Sequence, residues 1–389
     1  MQPFTQFILK MHGHCNLRCD YCYLYEMADQ SWRTRPAAMS TAVLEATVYR
    51  MSEHIREFSL PSVQVVLHGG EPLLAGYQRI SHAAEHITTR LSGSAKVSLG
   101  IQTNGLLLDE EYLELFDRFD IKVGISLDGA RAAHDRHRKD RRGSGSHARV
   151  SEKLSLLTRP ETRHLFSGLL ATVSLENDPL ETYGELLAHN PPAVDFLLPH
   201  GNWTNPPPGR HSNSRSTPYA DWLLPIFERW YEAPLRETGV RLFEDVIMLL
   251  LGSAARSESV GLTPFRSLIV ETDGSLEQVD SLKSAFAGAA GLGLNVRDHA
   301  LQEALAHPAT VARQLGAARL CDTCRACSLQ RVCGGGHIAH RYRVGHGFLN
   351  PSVYCRDLQK LIVHVRSRLH ADIFAAGHLR VAGALADDE

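Results

Sequence analysis

The chain has 389 residues, 43% of them hydrophobic, and a formal net charge of -2, enough apolar material for a large domain with a smaller one beside it. No charge excess argues for a nucleic-acid partner, and no apolar run approaches the roughly twenty residues that span a bilayer. Phe4 to Met11 lacks the basic start and small-residue cleavage site of a signal peptide, so a cytoplasmic protein with no membrane partner is expected.

Six β-branched or apolar runs alternate with helix-length amphipathic segments, the pattern of repeated β/α units around a parallel sheet. The strands are predicted at Phe7 to Met11, Val63 to His68, Lys96 to Gln102, Ile121 to Leu127, Leu169 to Ser174 and Val194 to Leu198. Ser40 is a predicted N-cap for a helix over Thr41 to Phe58, and Asp109 for one over Glu110 to Arg118. Gly201 to Pro218 is rich in Pro, Asn, Ser and Gly and reads as an irregular connector. Helices follow over Tyr219 to Tyr231 and Leu242 to Gly252. Leu268 to Glu271 and Leu276 to Val279 then flank Asp273-Gly274, a hairpin signal. A last helix is expected over Leu358 to Ala375, with the acidic end Ala386 to Glu389 as a frayed tail. Four units are expected: 1–200, 201–263, 264–357 and 358–389.

The eight cysteines form two groups, with none between Cys22 and Cys321. In a reducing compartment such grouping reads as metal ligation rather than disulfides. Cys15, Cys19 and Cys22 have C-x3-C-x2-C spacing, so three thiolates on one loop can hold three irons of a [4Fe-4S] cube and leave the fourth open to a small chelating molecule. The structural alternative is a zinc knuckle closed by His12 or His14.

In parallel α/β folds, ligands sit beyond the carboxyl ends of the strands. There stand Gly69-Gly70-Glu71-Pro72, Thr103-Asn104-Gly105, Ser126-Leu127-Asp128-Gly129 and His134-Asp135-Arg136-His137-Arg138. With the cysteine triad, these resemble the motifs of the radical S-adenosylmethionine (SAM) enzymes. The resemblance implies an α/β fold, a partial (β/α)6 barrel open on one side, and an open [4Fe-4S] cluster that binds SAM. It further implies that Gly69, Gly70 and Glu71 hold the SAM ammonium, and that Ser126 and Arg138 bind its carboxylate. Asn104 and Asp128 would line the nucleoside, while Tyr21 and Leu197 touch the adenine. Arginine suits a carboxylate because its planar fork offers two parallel donors. The basic stretch Arg131 to Arg142 reads as a solvated loop, in which Arg136, Lys139, Arg141 and Arg142 could also attract an acidic peptide leader.

The second group, Cys321-x2-Cys324-x2-Cys327-x5-Cys333 with Cys355 after a gap, resembles the SPASM extension of radical SAM maturases. Cys324, Cys327, Cys333 and Cys355 match the ligands of one closed auxiliary [4Fe-4S] cluster, with Cys321 as an alternative to Cys355; zinc on four of these thiolates is the structural alternative. The inner cluster of the full pattern is expected to be missing, since its positions here read Gly334-Gly335-Gly336-His337 and Glu277-Gln278-Val279-Asp280. Asp280 matches a general base of the sulfatase-maturing relatives, or is an ordinary salt-bridge residue. Tyr23 to Trp32, Cys333 to His337 with His340-Arg341-Tyr342, and Gly347 to Cys355 resemble the FxsB family of radical SAM/SPASM peptide maturases, which implies cyclophane formation. A carbon-carbon bond would join an aromatic side chain to the β-carbon of a residue two positions later. Epimerisation, thioether formation, sulfatase-type oxidation or a non-catalytic metal scaffold are the other readings. Expected partners are a precursor peptide and an electron donor such as flavodoxin or ferredoxin. No separate leader-recognition domain is expected before Cys15.

Overall fold

The computed structural model describes residues 1–210 and 215–386, with side chains to Phe374. Strands are β1 (Gln6–His12), β2 (Leu17–Cys19), β3 (Ser62–Gly69), β4 (Lys96–Thr103), β5 (Lys122–Ser126), β6 (Arg138–Asp140), β7 (Phe166–Thr172), β8 (Ala193–Leu197), β9 (Gly239–Val240), β10 (Ser267–Val270), β11 (Ser275–Glu277) and β12 (Gly291–Asn295). Ten of them form one open sheet in the order β12-β11-β10-β1-β3-β4-β5-β7-β8-β9. The six predicted strands are β1, β3, β4, β5, β7 and β8, all parallel to their neighbours within that run. This is the alternating α/β architecture that the sequence predicts, and its inner residues are the apolar ones: Phe7, Leu9 and Met11 on β1, Val65 and Leu67 on β3.

The helices follow from their caps and faces. In α1 (Thr41–Glu57) the Ser40 side chain accepts from the amide of Val43, and Val43, Leu44, Val48, Met51 and Ile55 form the buried stripe at helical spacing. In the helix Glu110–Arg118, Asp109 accepts from the amide of Tyr112 at 3.0 Å. Such caps satisfy amides that the helix leaves open. The helices predicted after the connector occupy Pro218–Glu232 and Arg241–Leu250.

Three features differ from expectation. The sheet runs past six strands: β10 pairs parallel with β1, Gln6 beside Ser267 and Leu9 beside Val270, and the hairpin strand β11 extends it. Strands from units 1–200, 201–263 and 264–357 lie in this one sheet. The basic stretch is not a loop, because Arg131–His137 is a helix and Arg138–Asp140 is β6, paired antiparallel with β2 of the cysteine segment. The last helix begins earlier, at Cys355, and extends to Ala386. Connector residues 211–214 and the acidic residues 387–389 lie outside the described residues. None of the described helices is long and apolar enough to cross a membrane.

Candidate functional site

Beyond the carboxyl ends of the strands lies a cavity of about 280 Å³. Cys15, Cys19, Cys22 and Tyr21 enter its wall from the cysteine segment, which leaves β1 and returns as β2. The two-stranded ribbon with β6 pairs Cys19 with Arg138. One short antiparallel contact thus positions both the triad and the expected carboxylate binder. Asn104 adds a second tie, its amide donating to Asn16 Oδ1 at 2.8 Å and to Cys15 Sγ at 3.6 Å.

Gly69 and Gly70 line the cavity, and Gly70 is required by closeness: a Cβ there would lie 1.7 Å from Tyr25 Oη and 2.6 Å from the His14 backbone. Glu71 is not among the residues that line the cavity. Its buried carboxylate accepts from Leu73 N at 3.0 Å, Thr103 Oγ1 at 2.6 Å and Asn104 N at 2.8 Å. These bonds lock the turns after β3 and β4 together and leave the glycine backbone at the wall. Burial raises the Glu71 pKa, against the three donors.

Ser126 and Arg138 share the wall. Ser126 Oγ accepts from Gln102 Nε2 at 3.2 Å. Arg138 Nη1 donates to Tyr21 Oη at 2.7 Å, and that hydroxyl donates to Asp128 Oδ2. Asp128 therefore stands behind the wall as an anchor instead of lining it, its other oxygen accepting from Thr172 N at 3.0 Å. Burial works against the Arg138 charge, but Tyr21, Cys19 and Asp128 hold its pKa above the ordinary value. Arg138 lines the cavity, and its buried Nε has no hydrogen-bond partner among the described residues, a cationic donor left unsatisfied. His134 completes the arrangement: Nδ1 accepts from Asp128 N at 3.3 Å, Nε2 contacts Ser146 Oγ at 2.9 Å, and Ser146 Oγ donates to Arg138 O at 2.7 Å. Burial lowers the His134 pKa to about 2, so it acts as a neutral brace. Leu197 also lies in the wall.

Burial raises the thiol pKa to about 12 at Cys15, with Glu71 contributing, and to about 11 at Cys19; Cys22 is raised too. Such thiols become ligands when a metal displaces the proton. Three thiols from one loop, an orphaned guanidinium nitrogen and glycine backbone around one cavity fit SAM beside a three-cysteine cluster.

The second cysteine group is drawn together. The Cys324 pKa is raised to about 12 by burial and by Cys321, Cys355 and Cys333, while Cys355 feels Cys327 and Cys321. All five are free thiols. The adjacent Gly334, Gly335 and Gly336 all have left-handed φ, from 59° to 77°, a conformation that suits glycine. The buried Arg341 guanidinium donates to the carbonyls of all three.

Asp280 is not in the cavity wall. Its carboxylate is ion-paired with Lys10 and lies 3.3 Å from Lys283. Burial opposes its charge, yet Lys10, Lys283 and nearby His68 hold its pKa well below the carboxylate range. Lys283 also meets Glu271 and, at 2.9 Å, Glu277; Arg35 pairs with Glu271 at 3.0 Å and Glu277 at 2.6 Å. Lys10, Lys283 and Arg35 thus interlock with three buried carboxylates. The Asp280 carboxylate is thus one member of a buried ion-pair network.

Sequence reasoning missed Gln102, Lys10 and His200. Gln102 alternates with the core residue Ile101 on β4, and Gly124 beside it leaves the room, since a Cβ there would lie 2.2 Å from Gln102 Oε1. The signal for His200 was its place just past β8, at the same end as the motifs.

Residues 9–159 match the Radical SAM superfamily. A cysteine-type anaerobic sulfatase-maturating enzyme of Clostridium novyi (strain NT) is 26% identical over 72% of this chain and 74% of its own. The structure of native anSMEcpe with bound AdoMet is similar in fold, with a TM-score of 0.79 at 22% identity, covering 94% of this chain and 98% of that one. Streptococcus suis SuiB bound to precursor peptide SuiA gives 0.59 at 14% identity, over 91% and 76%. The motif set, together with the match of residues 9–159 to that superfamily, gives this chain a radical SAM region, and it is an enzyme with SAM and a [4Fe-4S] cluster as its cofactors.

Proposed function

We propose that the chain is a maturase of a ribosomally made peptide, forming a carbon-carbon crosslink between an aromatic ring and the β-carbon of a residue two positions later. The observation that carries the peptide reading is the cavity shared by the cysteine triad, Gly69-Gly70, Ser126 and Arg138, in a fold whose solved relatives include one bound to a precursor peptide. The crosslinking reading rests on the FxsB-like segments Tyr23 to Trp32, Cys333 to Tyr342 and Gly347 to Cys355.

Cys15, Cys19 and Cys22 would hold the SAM-binding cluster, and Cys324, Cys327, Cys333 and Cys355 one auxiliary cluster, with Cys321 beside them. When bound, SAM and the reduced cluster supply a 5'-deoxyadenosyl radical that abstracts hydrogen. Arg138, braced by Tyr21 and Asp128, orients the carboxylate of SAM; Gly69 and Gly70 present backbone to its ammonium; Leu197 packs against the adenine. The product loses two hydrogens, one as the abstracted atom and one as a proton and an electron. The thiolate group around Cys333 suits an electron acceptor, and flavodoxin or ferredoxin suits the initial donor.

Sulfatase-type oxidation is the second reading, favoured by the curated relatives. Against it, the inner-cluster positions hold Val279 and His337, and the neighbouring Asp280 is tied up in ion pairs.

The test is anaerobic reconstitution with iron and sulfide, then SAM, reductant and a small peptide encoded beside this chain. Expected are about eight irons for two cubes, deoxyadenosine release that requires all three triad cysteines, and a ring that resists fragmentation between the joined residues. An aldehyde trapped by hydrazide would replace crosslinking with sulfatase-type oxidation. Absence of SAM cleavage under strong reduction would overturn the enzyme.

A further inference from the structure

Three histidines meet where the wall of the cavity joins the second cysteine unit. His200 follows β8 and lines the cavity; His337 and His340 belong to the short helical turn Ile338–Arg341 and its N-cap, after the three glycines. One ring nitrogen of each lies within 4.8 Å of the other two. Their ring centroids are 5.2 to 5.7 Å apart.

The hydrogen bonds do not account for this convergence. His200 Nδ1 and His340 Nε2 are fully enclosed and have no partner among the described residues, which costs free energy unless a ligand satisfies them. His337 uses both nitrogens at long range, Nδ1 accepting from Ala339 N at 3.3 Å and Nε2 facing Ser281 Oγ at 3.3 Å. Either contact can be exchanged for a stronger bond. Tyr23 packs edge-on against His200 and Tyr354 against His340, fixing two of the rings from outside.

We propose that His200, His337 and His340 form a separate three-nitrogen site for a divalent first-row transition cation such as zinc. Tetrahedral zinc-nitrogen bonds of about 2.0–2.1 Å place ligand nitrogens about 3.4 Å apart, so small ring rotations close the present spacing. Three protein ligands leave a fourth position for water or a donor of the substrate. Metal binding needs neutral imidazoles, and burial lowers all three, His200 to a pKa of about 4 and the other two well below the ordinary value. The opposing charges nearby are Arg341 and Arg313. The first is occupied by the three glycine carbonyls and the second is ion-paired with Glu258. The cation would sit one side chain from the cavity. This site does not depend on which peptide modification the enzyme performs.

The test uses full-length protein with reconstituted clusters, titrated with zinc against a chromophoric chelator and measured for iron and zinc per chain. Expected is one tightly held zinc beyond the iron, with X-ray absorption at the zinc edge showing nitrogen neighbours at about 2.0 Å and no sulfur shell. His337→Gln and His340→Gln should each weaken zinc binding at least about tenfold with iron content unchanged, whereas His86→Gln on a distant helix should not. Absence of retained zinc, or a sulfur shell, overturns the site; the absorption spectrum of the unaltered protein decides even if a variant fails to fold. Loss of SAM cleavage would instead strike the proposed function, so the two failures read differently.

Discussion

Asp280→Asn separates an ion-pair role from a catalytic one. The carboxylate is only 6% exposed. Among the described residues it is the sole ion-pair partner of Lys10, whose remaining polar contact is His68 Nδ1 at 3.5 Å. The amide would leave Lys10 as a buried ammonium without a paired counter-charge and Lys283 with two carboxylates in place of three. Removing one member of a buried pair costs about 3–5 kcal/mol, and the upper part of that range is expected here because both neighbouring lysines are buried. Replacing Lys10 by Met in the same chain should recover more than half of the loss, since no charge is then stranded. Urea unfolding followed by tryptophan fluorescence measures the cycle of single and double variants. The pH dependence has a definite sign. The folded pKa of Asp280 lies below the unfolded value, so its contribution is fully present above about pH 4 and is lost as pH falls through the folded value. The gap between the native protein and Asp280→Asn should therefore stay constant from about pH 5 to about pH 8. A variant as stable as the native protein that still releases deoxyadenosine, yet leaves the peptide unfinished, would refute this account and restore Asp280 as proton acceptor.

Gly70→Ala should push Tyr25 and the His14 backbone out of place and cut deoxyadenosine formation more than about tenfold, with iron at the triad reduced; normal activity would show that the turn yields easily. In Glu71→Gln one of three buried donors faces an amide NH2, which should cost about 1–3 kcal/mol and weaken SAM binding, as read by urea unfolding and equilibrium dialysis. His54 is neutral and buried, its pKa lowered by burial to about 4, with Nε2 3.2 Å from Phe4 O. The unfolded chain takes up that proton first as pH falls below about 6.5, so stability should decline from there toward about pH 4. His54→Gln should flatten that slope, and an unchanged slope would assign it to other groups.

Local signals were legible in the sequence. Ser40 and Asp109 cap the predicted helices, and six strands fall where alternating apolar runs placed them, because cap chemistry and side-chain period act over a few residues. Cys15, Cys19, Cys22, Gly70, Ser126 and Arg138 also arrive at one cavity, as the strand-end rule requires. What could not be read depends on partners far along the chain. Asp128 and Glu71 accept from the backbone amides of Thr172 and Asn104, donors that only the folded sheet brings near. The basic stretch looked like solvent because its charges hide a strand whose partner, Leu17–Cys19, lies over a hundred residues earlier. The run Gly334 to Gly336 signalled a turn, but not that Arg341 would fill it.

The pairing of β10 with β1 bears on how this chain can be divided or recombined. Gln6 to Leu9, with Phe7 and Leu9 fully buried, hydrogen-bond on one side to β3 and on the other to β10. A fragment ending before Ser267 would carry the whole triad and SAM cavity but bare one side of that strand, leaving a row of unpaired amides and carbonyls that recruits other chains. Such a half-protein should collect in inclusion bodies even though its motif set is intact. For the same reason, grafting the second cysteine unit of a relative onto this chain is a matter of matching Ser267 to Val270 against β1, and a swap that ignores those four residues should fail at assembly before any question of chemistry arises.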